Sequence, residues 1–326
     1  MSRSLLRLVN FPLEAANALL RWAWGNELLP RHQAPLPVVS VGNIAMGGTG
    51  KTPLVVALAA TLLARGARPA ILTRGYRRQG KAPLVLRGDP QGRFREAGDE
   101  PSLLARMLPQ VPVVVDANRF RGAGTALALG ATHLLLDDGF QHHRLARQLD
   151  LVVVRAADPL GRLSPRREGP WALWAASRVV AVGEPEEQET AAACLRRYHP
   201  LPPFPAALRA VGWIREGQRQ ELQALGGQRV FAFAGIANPE RFFRLLSQLG
   251  AQLVGTARFA DHHAFSPAEL AGILTQADRH RALPITTAKD HVRLPQTVAD
   301  RVAFLEVALV PLAGSFADLL VPLEPA

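Results

Sequence analysis

The chain predicts an α/β protein built on a doubly wound, mainly parallel sheet, with a second, smaller α/β domain after it and an amphipathic helix in front. Three observations carry this expectation. Short apolar runs of β type alternate with segments of helical spacing for most of the 326 residues, which is the pattern of strands buried on both faces and crossed over by helices. The first such run enters a glycine-rich turn that opens a long apolar helix. A Pro-rich stretch, His199 to Pro205, then separates the first β–α series from a second one. The predicted division is residues 1–25 for the helix, 26–222 for the larger domain and 223–326 for the smaller.

The elements follow in order. Arg3, Arg7, Asn10, Glu14, Asn17 and Arg21 recur at steps of four and three, and the residues between them are largely apolar, Trp22 and Trp24 included. One narrow polar stripe on an otherwise apolar helix suits a membrane interface; the competing reading packs the helix on the protein's own core. Pro12 is expected to kink this helix or to start a second one.

Next comes Val38-Val39-Ser40-Val41, then Gly42-Asn43-Ile44-Ala45-Met46-Gly47-Gly48-Thr49-Gly50-Lys51-Thr52, then an apolar helix over Pro53 to Leu63. Strand, glycine turn and helix in this order make a phosphate cradle. The turn aims backbone N–H groups inward, the helix N-terminus adds positive potential, a lysine neutralises the β/γ-phosphates and a hydroxyl holds Mg²⁺. Residues 45–52 are therefore the expected nucleotide site of a P-loop NTPase-like fold, although Ala45 stands where the strict pattern has glycine. Composition sharpens the point: of 38 basic residues only Lys51, Lys81 and Lys289 are lysine. In so arginine-rich a chain, a lysine inside the turn marks a place where a compact ammonium is needed.

Further buried strands are expected at Pro69–Leu72, Val111–Val115, His133–Leu136, Leu151–Val154 and Val179–Val182, with helices such as Leu54–Ala64 and Pro101–Met107 between. Thr73-Arg74-Gly75-Tyr76 follows the second strand, at the edge where such sheets bind ligands, and arginine with tyrosine can grip phosphate and sugar hydroxyls there. Arg119 is another arginine past a strand end. Asp99, in Gly98-Asp99-Glu100-Pro101, reads by itself as a helix N-cap. Leu134-Leu135-Leu136-Asp137-Asp138 ends a strand in carboxylates about 85 residues after the cradle, where a P-loop protein places its Mg²⁺-organising aspartate opposite the threonine. The second series begins at Val230–Gly235, after a polar hairpin-like region at Arg215–Gln223, and ends near Leu320. Within it lie Asp261-His262-His263, whose spacing is weak for zinc, and Thr286-Thr287-Ala288-Lys289-Asp290, which follows a short strand and is not the guanine-reading pattern.

Bulk composition excludes little but usefully. A single cysteine, Cys194, rules out a disulfide framework and a multi-cysteine metal site. The net charge of +11 comes from scattered arginines, and without an RNA-binding signature nucleic acid is not an expected partner. No apolar run reaches the about 20 residues that span a bilayer.

Taken together these segments resemble the tetraacyldisaccharide 4′-kinase family. The resemblance runs from about residue 5 to residue 310. It rests on Val41-Gly42-Asn43-Ile44, Gly47-Gly48-Thr49-Gly50-Lys51-Thr52-Pro53, Arg74-Gly75-Tyr76, Gly98-Asp99-Glu100-Pro101 and Asp137-Asp138-Gly139-Phe140-Gln141-His142-His143-Arg144-Leu145-Ala146-Arg147. In the second half it rests on Ala234 to Phe242, Asp261-His262-His263 and Thr286 to Asp290. It implies transfer of the ATP γ-phosphoryl to the 4′-hydroxyl of an acylated glucosamine disaccharide 1-phosphate, at the cytoplasmic face of an inner membrane; an anionic membrane surface, which the arginines of the N-terminal helix can meet, and a monomeric state are expected beside it. It also implies Asp99 as base toward the sugar hydroxyl with His262 as its partner, and Lys51 in the chemistry. Thr52, Asp137 and Asp138 would organise Mg²⁺, and Arg74, Tyr76, Arg119, Gln141 and His142 would hold the acceptor or the transferring phosphate. Two departures stand out: Arg155 where the family usually has aspartate, and a shortened loop, Ser164 to Glu168, that keeps only its Arg-Glu end.

The rival readings are a P-loop switch or assembly ATPase, a soluble ATP-dependent ligase and a degenerate nucleotide-binding scaffold. Met46 stands where the switch class carries an extra lysine. The N-terminal helix disfavours the ligase, and intact Lys51, Thr52 and Asp137 disfavour the scaffold.

Overall fold

Alternation of buried side chains explains how one sheet organises the whole chain. The computed structural model describes residues 3–75, 78, 82–88 and 94–323. After α1 (Arg3–Gly25) come β1 (Val38–Gly42), α2 (Lys51–Ala64), β2 (Pro69–Thr73), β3 (Leu84–Leu86), α3 (Phe94–Ala97), α4 (Asp99–Met107), β4 (Val113–Val115), α5 (Arg119–Ala128), β5 (His133–Asp137), β6 (Leu149–Arg155), β7 (Arg178–Val182) and α6 (Pro185–Leu195). The second half holds β8 (Phe204–Arg215), β9 (Gln218–Gln220), β10 (Arg229–Ala234), α7 (Pro239–Gln248), β11 (Gln252–Arg258), α8 (Pro267–Arg279), β12 (Leu283–Thr287), α9 (Ala288–His291), α10 (Gln296–Ala299) and β13 (Ala303–Pro311).

The strands form one sheet in the order β11-β10-β12-β13-β8-β7-β6-β1-β5-β2-β4-β3, with β9 on β8. Pairing is parallel except at β3·β4, β8·β13 and β8·β9. Every residue of β1 is buried. Val39 and Val41 pack into one core layer with Leu54, Leu58 and Leu135; Val38 packs into the opposite layer with Leu134 and Leu136. Helices therefore cover both faces, as the continuous apolar runs require. Each fully buried leucine contributes about 1.5–3 kcal/mol, so the interior of α2 is fixed by Leu54, Leu58 and Leu62.

Strand β8 is the seam. Its first residues pair in parallel with β7, and its length pairs antiparallel with β13. The Pro-rich stretch read as a linker thus runs straight into a strand that both halves share. Leu309, Phe316, Leu319 and Leu320 pack with α2 in the core of the first half, so the tail of the chain returns to the larger α/β layer. The polar region after β8 is a hairpin, turned at Glu216 and Gly217, both with positive φ.

Helix α1 runs unbroken through Pro12, which corrects the expectation of a possible second helix. The second half of its polar stripe, Glu14, Asn17 and Arg21, faces the protein. Glu14 meets Arg166 at 2.7 Å, the Asn17 amide donates to the Arg167 carbonyl at 2.7 Å, and the Arg21 guanidinium grips Glu168 at 2.7 and 2.8 Å. Glu168 is fully buried beneath it. Leu13, Leu19, Leu20 and Trp22 are left exposed. The stripe is a docking edge, and the apolar side is the one turned outward.

Candidate active site

The glycine turn leaves β1 in the centre of the sheet, where the connection from β1 crosses β5 to reach β2. Gly42 must be glycine here, because a Cβ would lie 2.4 Å from Cβ of Phe140. Gly47 and Gly50 have φ of 108° and 97°, conformations that side chains rarely adopt. Inside the turn the Asn43 amide donates to the Thr49 hydroxyl at 3.2 Å. From outside, the shortened loop braces it: the Met46 N–H donates to the Pro165 carbonyl and the Arg167 N–H to the Ile44 carbonyl, both at 2.8 Å. Ala45 bridges to Arg166 in the same contact. Met46, Gly47 and Gly48 stay exposed at the mouth, and Gly50 caps α2, whose first two residues are Lys51 and Thr52.

The strand-end carboxylates divide sharply. Asp138, at φ 57°, takes Lys51 Nζ at 3.1 Å and Arg167 Nη1 at 2.7 Å. Burial opposes its ionisation, but Lys51 and Arg167 outweigh that and hold its carboxyl below the ordinary range. Asp137 is buried, and neither of its oxygens has a hydrogen-bond partner among the described residues. Burial, with the charges of Glu100 and Asp138 added, pushes its carboxyl well above the usual range. A buried carboxylate with both oxygens unpaired, beside a phosphate cradle, suits a hard dication that takes oxygen ligands. Asp137 with the Thr52 hydroxyl therefore fits Mg²⁺; Asp138 could join only by sharing oxygens that Lys51 and Arg167 already occupy.

Arg119, past the end of β4, is buried too. One of its nitrogens donates to the Asp116 carbonyl at 2.6 Å, and its Nε has no partner among the described residues. Burial and the neighbouring Arg74 push it down to about 10, with Asp137 and Asp138 pulling the other way. Still charged near neutrality, it lies within electrostatic reach of those carboxylates. Arg74 is exposed at the end of β2, and Tyr76 lies outside the described residues. Burial, then Arg119, pushes His142 down to about 4, so its imidazole is neutral. The Gln141 amide is spent on the Asn43 carbonyl at 2.9 Å and on Glu168 at 3.0 Å, which makes it a brace between the cradle and the α1 seat. Arg147 staples the same turn by donating to the carbonyls of Gly139, Phe140 and His142.

The two departures from the family pattern prove to be one feature. Arg155 reaches Asp158 at 3.3 Å and Ser164 at 3.1 Å, while the Asp158 carboxylate takes the N–H groups of Arg162 and Leu163. The arginine shapes the turn that delivers the shortened loop to the cradle.

Asp99 is not the N-cap of α4. Gly98 holds that position without a side-chain bond, and Asp99 is the first helical residue. Its Oδ2 instead crosses to the second half of the chain, meeting His262 Nδ1 at 2.9 Å and Arg293 at 2.7 and 2.8 Å. Glu100, the next residue, contributes to the field on Asp137, so the start of α4 faces the carboxylate end of β5. Spacing gave no hint of Arg293, one of many arginines and 194 residues away from its partner. At its other end, α4 meets the second half again, where Arg106 approaches the His291 ring. No cluster of three or more metal-ligating His, Cys, Asp or Glu side chains occurs among the described residues.

The chain is similar to known proteins over nearly its whole length. The family model described as tetraacyldisaccharide-1-P 4′-kinase matches residues 2–322. A tetraacyldisaccharide 4′-kinase of Anaeromyxobacter dehalogenans (strain 2CP-C) is 41% identical over 343 residues, spanning 97% of this chain and 88% of that protein. Its namesake in Paramagnetospirillum magneticum is 39% identical over 305 residues, spanning 91% of this chain and 89% of that one. The fold matches a crystal structure of LpxK from Aquifex aeolicus in complex with ATP, with a TM-score of 0.76, 28% identity and 95% of each chain covered. The chain belongs to the tetraacyldisaccharide-1-phosphate 4′-kinase family.

Proposed function

We propose a division of labour among these residues for the reaction of the family, transfer of the ATP γ-phosphoryl to the 4′-hydroxyl of an acylated glucosamine disaccharide 1-phosphate. The chain is an ATP-dependent kinase of that lipid A precursor. Residues 45–50 wrap the phosphates with backbone N–H groups, and Lys51 neutralises the β/γ-phosphates. Thr52 and Asp137, with Asp138 beside them, would hold Mg²⁺, which when bound would offset negative charge on the phosphate oxygens. Arg119, Arg74 and the neutral His142 line the acceptor side. Asp99 accepts the proton of the sugar hydroxyl.

The observation that carries this reading is Asp99 of the first half tied to His262 of the second, at 2.9 Å, on the helix whose Glu100 is felt by Asp137. A carboxylate fixed by His262 and Arg293, on a helix whose start faces the carboxylate end of β5, is what a positioned base requires. Incubating the purified protein with Mg·ATP, with and without acylated disaccharide 1-phosphate, tests it: a bisphosphorylated lipid is expected only with the acceptor. ATP turnover indifferent to the lipid would favour the switch-ATPase alternative.

The proposed setting is the cytoplasmic face of the inner membrane, with the protein peripheral and monomeric. No helix among the described residues is long and apolar enough to cross a membrane. What supports surface adsorption is the orientation of α1, whose Glu14, Asn17 and Arg21 are consumed by residues 166–168 while Leu19 and Trp22 stay exposed. Deleting α1 would strip Glu168 of Arg21, so the cleaner test replaces only the outward residues. Leu19→Ser with Trp22→Ser is expected to cut sedimentation with anionic vesicles several-fold, at an unchanged melting temperature. Vesicle binding equal to that of the parent chain would make the apolar side an ordinary surface.

A further inference from the structure

The segment that ends β12 and forms α9, Thr287 to Arg293, has no part in the phosphate cradle, yet it touches the Asp99–His262 pair from two sides. Lys289 Nζ lies 3.2 Å from His262 Nε2 and 3.4 Å from Asp261 Oδ1. Arg293 donates through Nε to Asp99 Oδ2 at 2.8 Å, and its Nη2 lies 2.7 Å from the same oxygen as an ion pair. Its remaining nitrogen is anchored on Asp290 at 2.9 Å and on the Gly235 carbonyl at 3.2 Å. Asp290 is itself fixed by the Gly235 N–H and the Thr287 hydroxyl. Arg293 is almost wholly buried and cannot swing away.

We propose that Lys289 and Arg293 are positioning residues that lock this pair into one hydrogen-bonding pattern, with His262 a neutral donor and Asp99 Oδ1 the oxygen that receives the acceptor's proton. The inference rests on the reading of Asp99 as that base.

The donor inventory fixes the pattern. An ammonium has only N–H groups to offer, so the ring nitrogen it approaches, Nε2, must supply a lone pair. The ring proton then sits on Nδ1 and is donated to Asp99 Oδ2. The Arg293 Nη2 group also approaches His262 Nδ1, at 3.4 Å, but Nδ1 lies nearer the Asp99 carboxylate, at 2.9 Å, and an ionised carboxylate can only accept. Two N–H groups, from His262 and from Arg293 Nε, thus converge on Oδ2, with the Arg293 Nη2 end beside them. Oδ1 carries no hydrogen bond among the described residues and is left for a substrate hydroxyl. The charged neighbours facing His262 are Asp99, Asp261, Lys289 and Arg293; two anions and two cations surround an imidazole that needs no charge of its own. The αL backbone of His262, φ 63°, is held by its N–H bond to the Gly235 carbonyl, the same peptide that anchors Arg293.

In the transfer step the acceptor oxygen forms the bond to the γ-phosphorus. The bond from that phosphorus to the β–γ bridging oxygen breaks, its electron pair leaving with ADP, and the hydroxyl proton ends on Asp99 Oδ1. His262 takes no proton, because its free lone pair points at Lys289.

Two measurements on the full chain test this. The first is the long-range proton–nitrogen spectrum of protein labelled with ¹⁵N-histidine, with His262→Gln identifying the resonance. It is expected to show the neutral Nδ1–H tautomer in the parent and a mixture of tautomers in Lys289→Met, where Nε2–H can turn to Asp261. The second is steady-state kinetics. Arg293→Gln is expected to lower kcat on the order of 10²-fold and leave KM for ATP within two-fold, and Arg293→Lys is expected to recover part of the loss. Arg293→Gln added to Asp99→Ala should cost nothing more, since groups acting as a unit are not additive. An imidazolium or an Nε2–H tautomer in the parent would overturn the assignment, as would a Lys289→Met variant unchanged in both spectrum and kcat. Parent-level kcat in Asp99→Ala would instead remove the base reading; the spectrum reports the hydrogen-bond pattern independently of it.

Discussion

Lys51→Ala is expected to abolish phosphoryl transfer to the lipid acceptor, by at least the order of 10³-fold. Loss of one preorganised donor at a developing charge costs about 10²–10³, and loss of a cation on the transferring group about 10³–10⁵. Lys51 belongs to the second class, because the transferred group carries its charge on the oxygens this ammonium faces. The fold should survive the change. In the described structure Lys51 pairs with Asp138 at 3.1 Å, but Arg167 pairs with the same carboxylate at 2.7 Å, so no carboxylate is left unpaired. Lys51→Arg is expected to recover little, since a planar fork does not enter the glycine turn as a point charge does. The measurement is transfer of labelled γ-phosphate to acylated disaccharide 1-phosphate, with melting temperature followed on the same samples. Near-normal transfer by Lys51→Ala would sink the assignment of residues 45–52 as the phosphate cradle.

Legibility in the sequence followed the range of each interaction. The cradle was readable because strand, turn and helix are adjacent in the chain, and Asp137 because a strand's end is a local event. The six apolar runs became β1, β2, β4, β5, β6 and β7 within a few residues of their expected ends. Strand β3 was not read: its three residues carry too short a pattern. The fate of the Pro-rich stretch was hidden because the pairing that makes it the entry to β8 is with β13, about a hundred residues on. The stripe on α1 was visible, but its direction was not, since its partners, residues 166–168, lie some 150 residues downstream. Asp99 shows the same limit from the other side. Its local signal is that of a cap, yet Gly98 takes that role, and the contacts that define Asp99 come from residues 163 and 194 positions away.

Asp99→Ala is the change that separates a positioned base from a structural carboxylate. Turnover is expected to fall on the order of 10²–10⁴, the range for loss of a general base. ATP affinity is expected to stay within two-fold, because the contacts of Asp99 are His262 and Arg293 and no cradle residue is among them. His262→Ala should cost less, since it removes one of two donors to Oδ2 and leaves Arg293 in place. The double variant should be little worse than Asp99→Ala alone. Stability must be followed in parallel, because this carboxylate also joins the two halves of the chain. Losing hydrogen bonds to a charged group costs about 1.5–3 kcal/mol, although Asp290 remains to pair with Arg293 at 2.9 Å. Asp99→Asn lessens that complication. It keeps the size of the side chain and an oxygen to accept from Arg293, but it cannot take a proton from a sugar hydroxyl. If Asp99 is the base, the asparagine variant melts closer to the parent than the alanine variant does, yet both are slow by a similar factor. If the carboxylate only ties α4 to the second half, turnover of the folded fraction tracks stability, and the asparagine variant is the faster of the two.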